Sequence, residues 1–270
     1  MNRDRLFTVG DVTLTYRLTG SGPEPLVCVH GVGASLEAWE GIAKRLDRDY
    51  TILTFDLRGH GKSSKINGRY EIDDFVGDTL ALVEEVGFDT FHLAGFSLGG
   101  LIAQRIALTH LHRLRRLVLL STVAGRTDEE RQRVLSRLEA LRSGERGSHY
   151  DASVSRWFSE TFQAENPGLM AELRRRNAEN DPDCYASAYR VLAETDFGGL
   201  LDRIRCPTLI ATGEDDIGSN PRMARFMHEN IPGSKLKILP GLRHSILQEA
   251  PDQVAKMIDD FLAQKEKADG

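Results

Sequence analysis

Cysteine is scarce: only Cys28, Cys184 and Cys206 occur in 270 residues. They form no CxxC pair, and the odd count argues against both a disulfide framework and a structural zinc site. Basic charge is not in excess either. Thirty-five Lys and Arg face 40 Asp and Glu, a formal net charge of −5, which excludes a globally basic nucleic-acid binder though not a local basic patch. No apolar run approaches the roughly 18–20 residues of a membrane span. The opening Met1-Asn2-Arg3-Asp4-Arg5 alternates charge with no apolar stretch behind it, so no signal peptide is expected. The histidines lack H-x-x-x-H spacing and no Cys/His cluster exists, so neither metal nor cofactor is expected. Together these absences predict a cytoplasmic protein with no membrane or nucleic-acid partner; a monomer or homodimer is expected.

What is present is an ordinary globular composition, 40% apolar and 28% charged. The length suits one large domain or one domain with an insertion. Val12, Leu14 and Tyr16 alternate with polar residues as in an antiparallel strand. Six continuous apolar runs follow: Leu26–His30, Thr51–Asp56, Phe91–Phe96, Leu117–Ser121, Thr208–Thr212 and Lys235–Leu239. Runs without alternation suit strands covered on both faces, as in a parallel sheet, and Cys28 lies in one of them as a small buried hydrophobe. Helical spacing over Ile72–Val86, Leu98–His110 and Pro251–Leu262 separates some of the runs. Alternation of this kind predicts a doubly wound α/β sheet with right-handed crossovers.

One interval breaks the pattern. Between Ala124 and Leu200 only amphipathic helices are expected, over Arg131–Leu141, Val154–Phe162, Gly168–Asn177 and Cys184–Ala193. A helical insertion between parallel strands lies over the carboxyl edge of the sheet, where ligands bind. The expected division is therefore a core of residues 1–123 and 201–270 and a helical cap of residues 124–200. The cap is rich in arginine: Arg126, Arg131, Arg133, Arg137 and the run Arg174-Arg175-Arg176. Solvated helix faces paired with Glu explain such residues, and an inward arginine holding a substrate carboxylate is the sharper reading.

The strongest chemical signal is Gly95-Phe96-Ser97-Leu98-Gly99, a G-x-S-x-G that follows an expected strand and opens an expected helix. A turn this tight admits no side chain at either glycine and holds Ser97 in a strained geometry above the sheet edge. A serine hydroxyl needs a base to take its proton. His244, after the last strand and before the last helix, falls on a loop that reaches the same edge. His30 is the main rival, but Gly31 follows it and the place reads better as an oxyanion loop. His60 reads as structural and His92 points from within a strand. His110, His112, His149 and His228 read as surface or cap residues. A carboxylate must orient the imidazole, and Glu214-Asp215-Asp216 after Thr208–Thr212 offers one at the same edge. The alternative site after the preceding strand is neutral, Ser121-Thr122. Two N–H donors should hold a developing oxyanion: that of Leu98, and one from His30-Gly31-Val32-Gly33, assigned to Val32. Gly33, Phe96, Trp39, Trp157 and Tyr189 are the expected substrate-pocket lining.

Across nearly its whole length the chain resembles the α/β-hydrolase superfamily. The resemblance rests on His30-Gly31, the loop Asp56-Leu57-Arg58-Gly59-His60-Gly61-Lys62-Ser63, the elbow at Ser97, and His244 followed by Glu249 and Pro251. It implies an eight-stranded, mostly parallel sheet with a cap after the sixth strand. Its G-x-x-D spacing implies Asp216, rather than Asp215, as the acid, and it implies a structural role for the loop around His60. A narrower resemblance is to 3-oxoadipate enol-lactonases. It rests on Trp39 nine residues after His30, on Arg156-Trp157-Phe158, Phe162 and Asn166-Pro167 in the cap, and on the interval Tyr185–Leu201. Gly31 stands where that family often has serine.

The expectation is a serine hydrolase cleaving a small carboxylic ester or lactone through an acyl-enzyme. Alternatives on the same fold are a C–C hydrolase of ring-cleavage products, a cofactor-free haloperoxidase or perhydrolase, and a ligand receptor with little turnover. Phe96 and Ser245 stand where the C–C hydrolases usually carry asparagine and tryptophan, and Ser97 argues against a dehalogenase, which uses a carboxylate nucleophile.

Overall fold

A computed structural model describes residues 3–143 and 148–264. Met1 and Asn2 and the side chain of His149, which entered the reading above, lie outside the described set. The strands are β1 (Arg5–Val9), β2 (Val12–Thr19), β3 (Glu24–Val29), β4 (Tyr50–Phe55), β5 (Phe91–Phe96), β6 (Leu114–Leu120), β7 (Thr208–Gly213) and β8 (Lys235–Leu239). They form one sheet in the order β1-β2-β4-β3-β5-β6-β7-β8. The β1–β2 and β2–β4 pairs are antiparallel and every other pair is parallel.

The continuous apolar runs are buried on both faces, as a parallel sheet requires. Val27, Leu93, Leu117 and Leu119 pack on one side with α2 (Ile72–Glu85), α3 (Leu98–Thr109) and α9 (Pro221–Asn230). Leu26, Cys28, Ala94, Val118 and Leu120 pack on the other with α1 (Glu40–Leu46) and α11 (Pro251–Leu262). Cys28 is a core residue, and burial pushes its thiol well up from the ordinary value. The eight-stranded, mostly parallel sheet is the one the resemblance implied; the reading of the separate runs located seven of its strands, leaving out the edge strand β1, and named neither α1 nor α9. β1 is mostly exposed and therefore carries little apolar signal.

Between β6 and β7 the described chain is helical, with α4 (Asp128–Ser143), α5 (Ser148–Trp157), α6 (Glu160–Glu165), α7 (Pro167–Ala178) and α8 (Pro182–Glu194), then a 3₁₀ segment, Gly198–Arg203. The expected single helix Val154–Phe162 is two helices. Ser159 breaks it by taking an extended conformation (φ −63°, ψ 152°) and accepting the Phe162 N–H as the N-cap of α6. Glu249, in the short helix α10 (Ile246–Glu249), accepts both the Ser159 N–H and its hydroxyl at 3.0 and 2.6 Å, which fixes this corner on the core.

Candidate active site

The elbow is built by exclusion. A Cβ on Gly95 would stand 2.2 Å from the Gly99 carbonyl oxygen, and one on Gly99 2.2 Å from that of Val29. Only glycine allows α3 to start this close to β3 and β5. The turn leaves Ser97 with φ 55° and ψ −115°, a left-handed φ that a side chain normally avoids. The surroundings over-determine it: Ser97 N–H donates to the Leu120 carbonyl (2.9 Å), and its own carbonyl accepts from Thr122 Oγ1 (2.7 Å) and the Gly100 N–H (2.9 Å).

Asp216 follows β7 and is 2% exposed. Its Oδ1 accepts the Gly218 and Ser219 N–H groups at 2.8 and 2.9 Å, and its Oδ2 lies 2.8 Å from His244 Nδ1. Burial pushes this carboxyl up. The His244 charge and hydrogen bond, with the two backbone donors, outweigh burial and hold it below the usual aspartate value. Asp215 is exposed, so the choice between the two follows from which one the turn after Gly213 faces inward. With Asp216 accepting at Nδ1, the imidazole presents Nε2 as its free, proton-accepting nitrogen. His244 lines a cavity of about 870 Å³ together with Ser97, and its ring lies tilted against Phe96 with centroids 5.1 Å apart.

His30 is not a base. Its Nδ1 donates to the Gly31 carbonyl (2.7 Å) and its Nε2 accepts the Leu57 N–H (3.0 Å), so both ring nitrogens are committed to backbone. Complete burial lowers its pKa to about 4. His60 is likewise buried, donates from Nδ1 to the Arg58 carbonyl, and is lowered to about 3 by burial first and by His30 next. The loop around it is structural: Asp56 accepts the Leu36 and Lys62 N–H groups, both at 2.7 Å, and a Cβ on Gly61 would overlap its carboxylate.

Val32 lines the cavity, and Leu98 opens α3. Among the described residues neither backbone N–H is hydrogen bonded, which suits donors kept for an oxyanion at a helix N-terminus. Gly31 sits directly against Ser97, where a Cβ would come within 2.9 Å of the Ser97 Cβ. The helical insertion braces this loop. Asn180 Nδ2 donates to the Gly33 carbonyl (3.1 Å), and the Tyr185 ring packs where a Gly33 Cβ would be.

Of the expected pocket residues, Gly33, Phe96, Trp157 and Tyr189 line the cavity. Trp39 does not. It ends the 3₁₀ turn Leu36–Trp39 and is fully buried in the core beneath the sheet with Ile42 and Leu247. Tyr185 was not singled out in the sequence, yet it is buried against Gly33 and lines the cavity. Its signal was the spacing of four from Tyr189 on one face of α8. Among the described residues no helix is long and apolar enough to cross a membrane, and no group of three His, Cys, Asp or Glu could hold a metal ion.

Known proteins similar to this chain agree with that architecture. It is 31% identical over 256 residues to an (E)-2-((N-methylformamido)methylene)succinate hydrolase of Acinetobacter baylyi, covering 93% of this chain and 94% of that one. It is 29% identical over 233 residues to 3-oxoadipate enol-lactonase 2 of the same organism, covering 86% of each. The crystal structure of an enol-lactonase from Burkholderia xenovorans superposes with a TM-score of 0.90 at 26% identity, over 96% of this chain and all of that one. The sequence profile described as alpha/beta hydrolase fold matches residues 24–251. The chain belongs to the α/β-hydrolase fold family.

Proposed function

We propose that this protein is a serine hydrolase that cleaves a small carboxylic ester or lactone through an acyl-enzyme. The observation that carries the reading is a serine on a strained strand-to-helix turn sharing one cavity with a histidine held by a buried aspartate. In this reading His244 takes the Ser97 proton as Oγ attacks the carbonyl carbon. The tetrahedral oxyanion accepts from the Val32 and Leu98 N–H groups. Collapse expels the alkoxide or enolate, which receives its proton from His244. Water then attacks the acyl-enzyme with His244 again as base, releasing the acid and restoring Ser97. Asp216 holds the imidazole tautomer and stabilises its cation.

The insertion of residues 124–200 serves as the cap in this scheme. Trp157, Tyr185 and Tyr189 close the cavity from above and restrict water to what hydrolysis needs. The names of the relatives support the reaction class, since one acts on an enol-lactone and another hydrolyses a substituted succinate. A soluble cytoplasmic monomer or homodimer, with a small-molecule ester or lactone as its partner, fits the same reading.

The test is steady-state hydrolysis of p-nitrophenyl esters, an enol-lactone and a ring-cleavage dienoate by wild type and Ser97→Ala. Ester or lactone turnover abolished by the substitution, with a fluorophosphonate probe labelling wild type only, is the expected result. Preferred cleavage of the dienoate would move the assignment to C–C hydrolysis. Acylation without release in single-turnover experiments would make the protein a receptor.

A further inference from the structure

Glu249 and Pro251 follow His244 in the chain, and the proposed mechanism uses neither. Pro251 opens α11. The Glu249 carboxylate is shared between the helical insertion and the loop that carries His244. Its Oε2 accepts the Ser159 N–H and hydroxyl at 3.0 and 2.6 Å, and its Oε1 accepts the Arg243 N–H at 3.2 Å. One side chain thus holds the corner between α5 and α6 and the residue next to His244. An ionised carboxylate suits this place because it accepts at both oxygens. A glutamine of the same shape turns an NH₂ toward one of the two segments and can hold only the other.

The His244 loop lies between two supports. On the side of the acid turn, the Asp215 N–H donates to the Leu242 carbonyl (2.9 Å). Gly213 approaches so closely there that a Cβ would stand 2.2 and 2.3 Å from the Leu242 and Arg243 carbonyl oxygens. On the side of the insertion, the Ser245 N–H donates to the Trp157 carbonyl (2.9 Å), and the Arg243 guanidinium donates to the Ser155 and Phe158 carbonyls. The peptide before His244 is therefore set by the sheet, through Gly213, and the peptide after it by the insertion, through Trp157. Two planar peptides meeting at one Cα fix the direction of its Cα–Cβ bond. The imidazole leaves the backbone along that line, with Asp216 holding its Nδ1.

Trp157 and Ser159 are two residues apart at the same corner. A corner released from Glu249 carries the Trp157 carbonyl with it and turns the peptide after His244. Misplacement of a reacting group by about 1 Å can cost on the order of 10²-fold in rate, so the hold on this corner bears on the chemistry and not only on the cover of the cavity.

We infer that Glu249 is a positioning residue: by binding Ser159 and the Arg243 N–H with one carboxylate, it fixes the α5–α6 corner in the register at which the Trp157 carbonyl aims His244 at Ser97. The role of His244 as base rests on the hydrolase reading. The coupling of the corner to the imidazole does not.

The test is Glu249→Gln in the full-length protein. kcat on p-nitrophenyl butyrate is measured per site counted by fluorophosphonate titration. The downfield proton of the His244–Asp216 hydrogen bond is followed by NMR and assigned by its loss in His244→Gln. The substitution should lower kcat about tenfold with KM within about twofold, and slow fluorophosphonate labelling by the same factor. The proton signal should broaden through faster exchange with water. If kcat, labelling rate and signal all stay within about twofold of wild type, whether or not the thermal midpoint drops, Glu249 only braces the fold and the proposal is overturned. A higher KM at unchanged kcat also overturns it, since that is lost substrate binding and not lost alignment. If wild type neither labels nor turns over esters, the hydrolase reading fails and the proton signal decides alone: broadening in Glu249→Gln supports the coupling, and an unchanged signal removes it. Should Glu249→Gln not fold, Ser159→Ala deletes the hydroxyl donor and keeps Glu249. A kcat loss of about threefold or more with KM held then supports the role, and a smaller loss overturns it.

Discussion

The floor and the roof of the cavity are made in different ways. On the floor, backbone constraints place the proposed reacting groups: Gly95 and Gly99 leave no room for a side chain, and Ser97 is held at φ 55° by hydrogen bonds to three neighbours, Leu120, Thr122 and Gly100. On the roof, long side chains on amphipathic helices supply the lining, and their surroundings are half-exposed. A floor of this kind has one working geometry and tolerates almost no change. A roof of this kind can exchange residues and change selectivity while the chemistry below it persists.

The largest expected effect breaks the floor. Ser97→Ala should lower kcat on every substrate by about 10⁴–10⁶-fold, because in the proposed mechanism Ser97, His244 and Asp216 act as a unit. Asp216→Asn should cost about 10⁴-fold by favouring the wrong imidazole tautomer, while Asp215→Asn, at an exposed position, should leave kcat within about twofold. The reverse ranking in a kcat comparison would move the acid to Asp215. Gly99→Ala should destabilise the fold by the upper end of about 1–3 kcal/mol or more, read as a lower urea midpoint, since the added methyl meets the fixed Val29 carbonyl. Asn180→Ala sharpens the contrast between floor and roof. It removes a brace on the oxyanion loop and should lower kcat about tenfold with KM little changed, as for an interaction felt mainly in the transition state.

The smallest effect is on stability against pH. His30, His60 and His92 are buried neutral, with pKa values lowered from 6.5 to about 4, about 3 and about 4, burial being the first cause in each. Below 6.5 the unfolded chain takes up protons that the folded chain refuses, so stability falls with acid down to those lowered values and is fully present above 6.5. Asp216, also lowered, acts in the same direction at still lower pH. Thermal melts from pH 7 to 4 should show a steadily falling midpoint.

The central strands were legible because each is an uninterrupted apolar run, and the elbow because its glycines and serine are adjacent in the chain. β1 was missed for lack of burial, and α1 and α9 because short helices leave few periods to count. The break at Ser159 was hidden by apolar residues on both sides of it. Trp39 looked like pocket lining because an aromatic near the oxyanion loop suits either role, and only packing sends it beneath the sheet.

The amino-acid order alone determined which local conformations were affordable: tight turns at glycine, doubly covered strands, a helical stretch in place of one crossover. Local sterics and periodic burial act over a few residues, so a string of letters carries them in full. What lay beyond it was that Asp216 and His244 meet within hydrogen-bond range and which arginines of the insertion line the cavity. Those outcomes depend on groups far apart in the chain, and only packing brings their charges within range of one another.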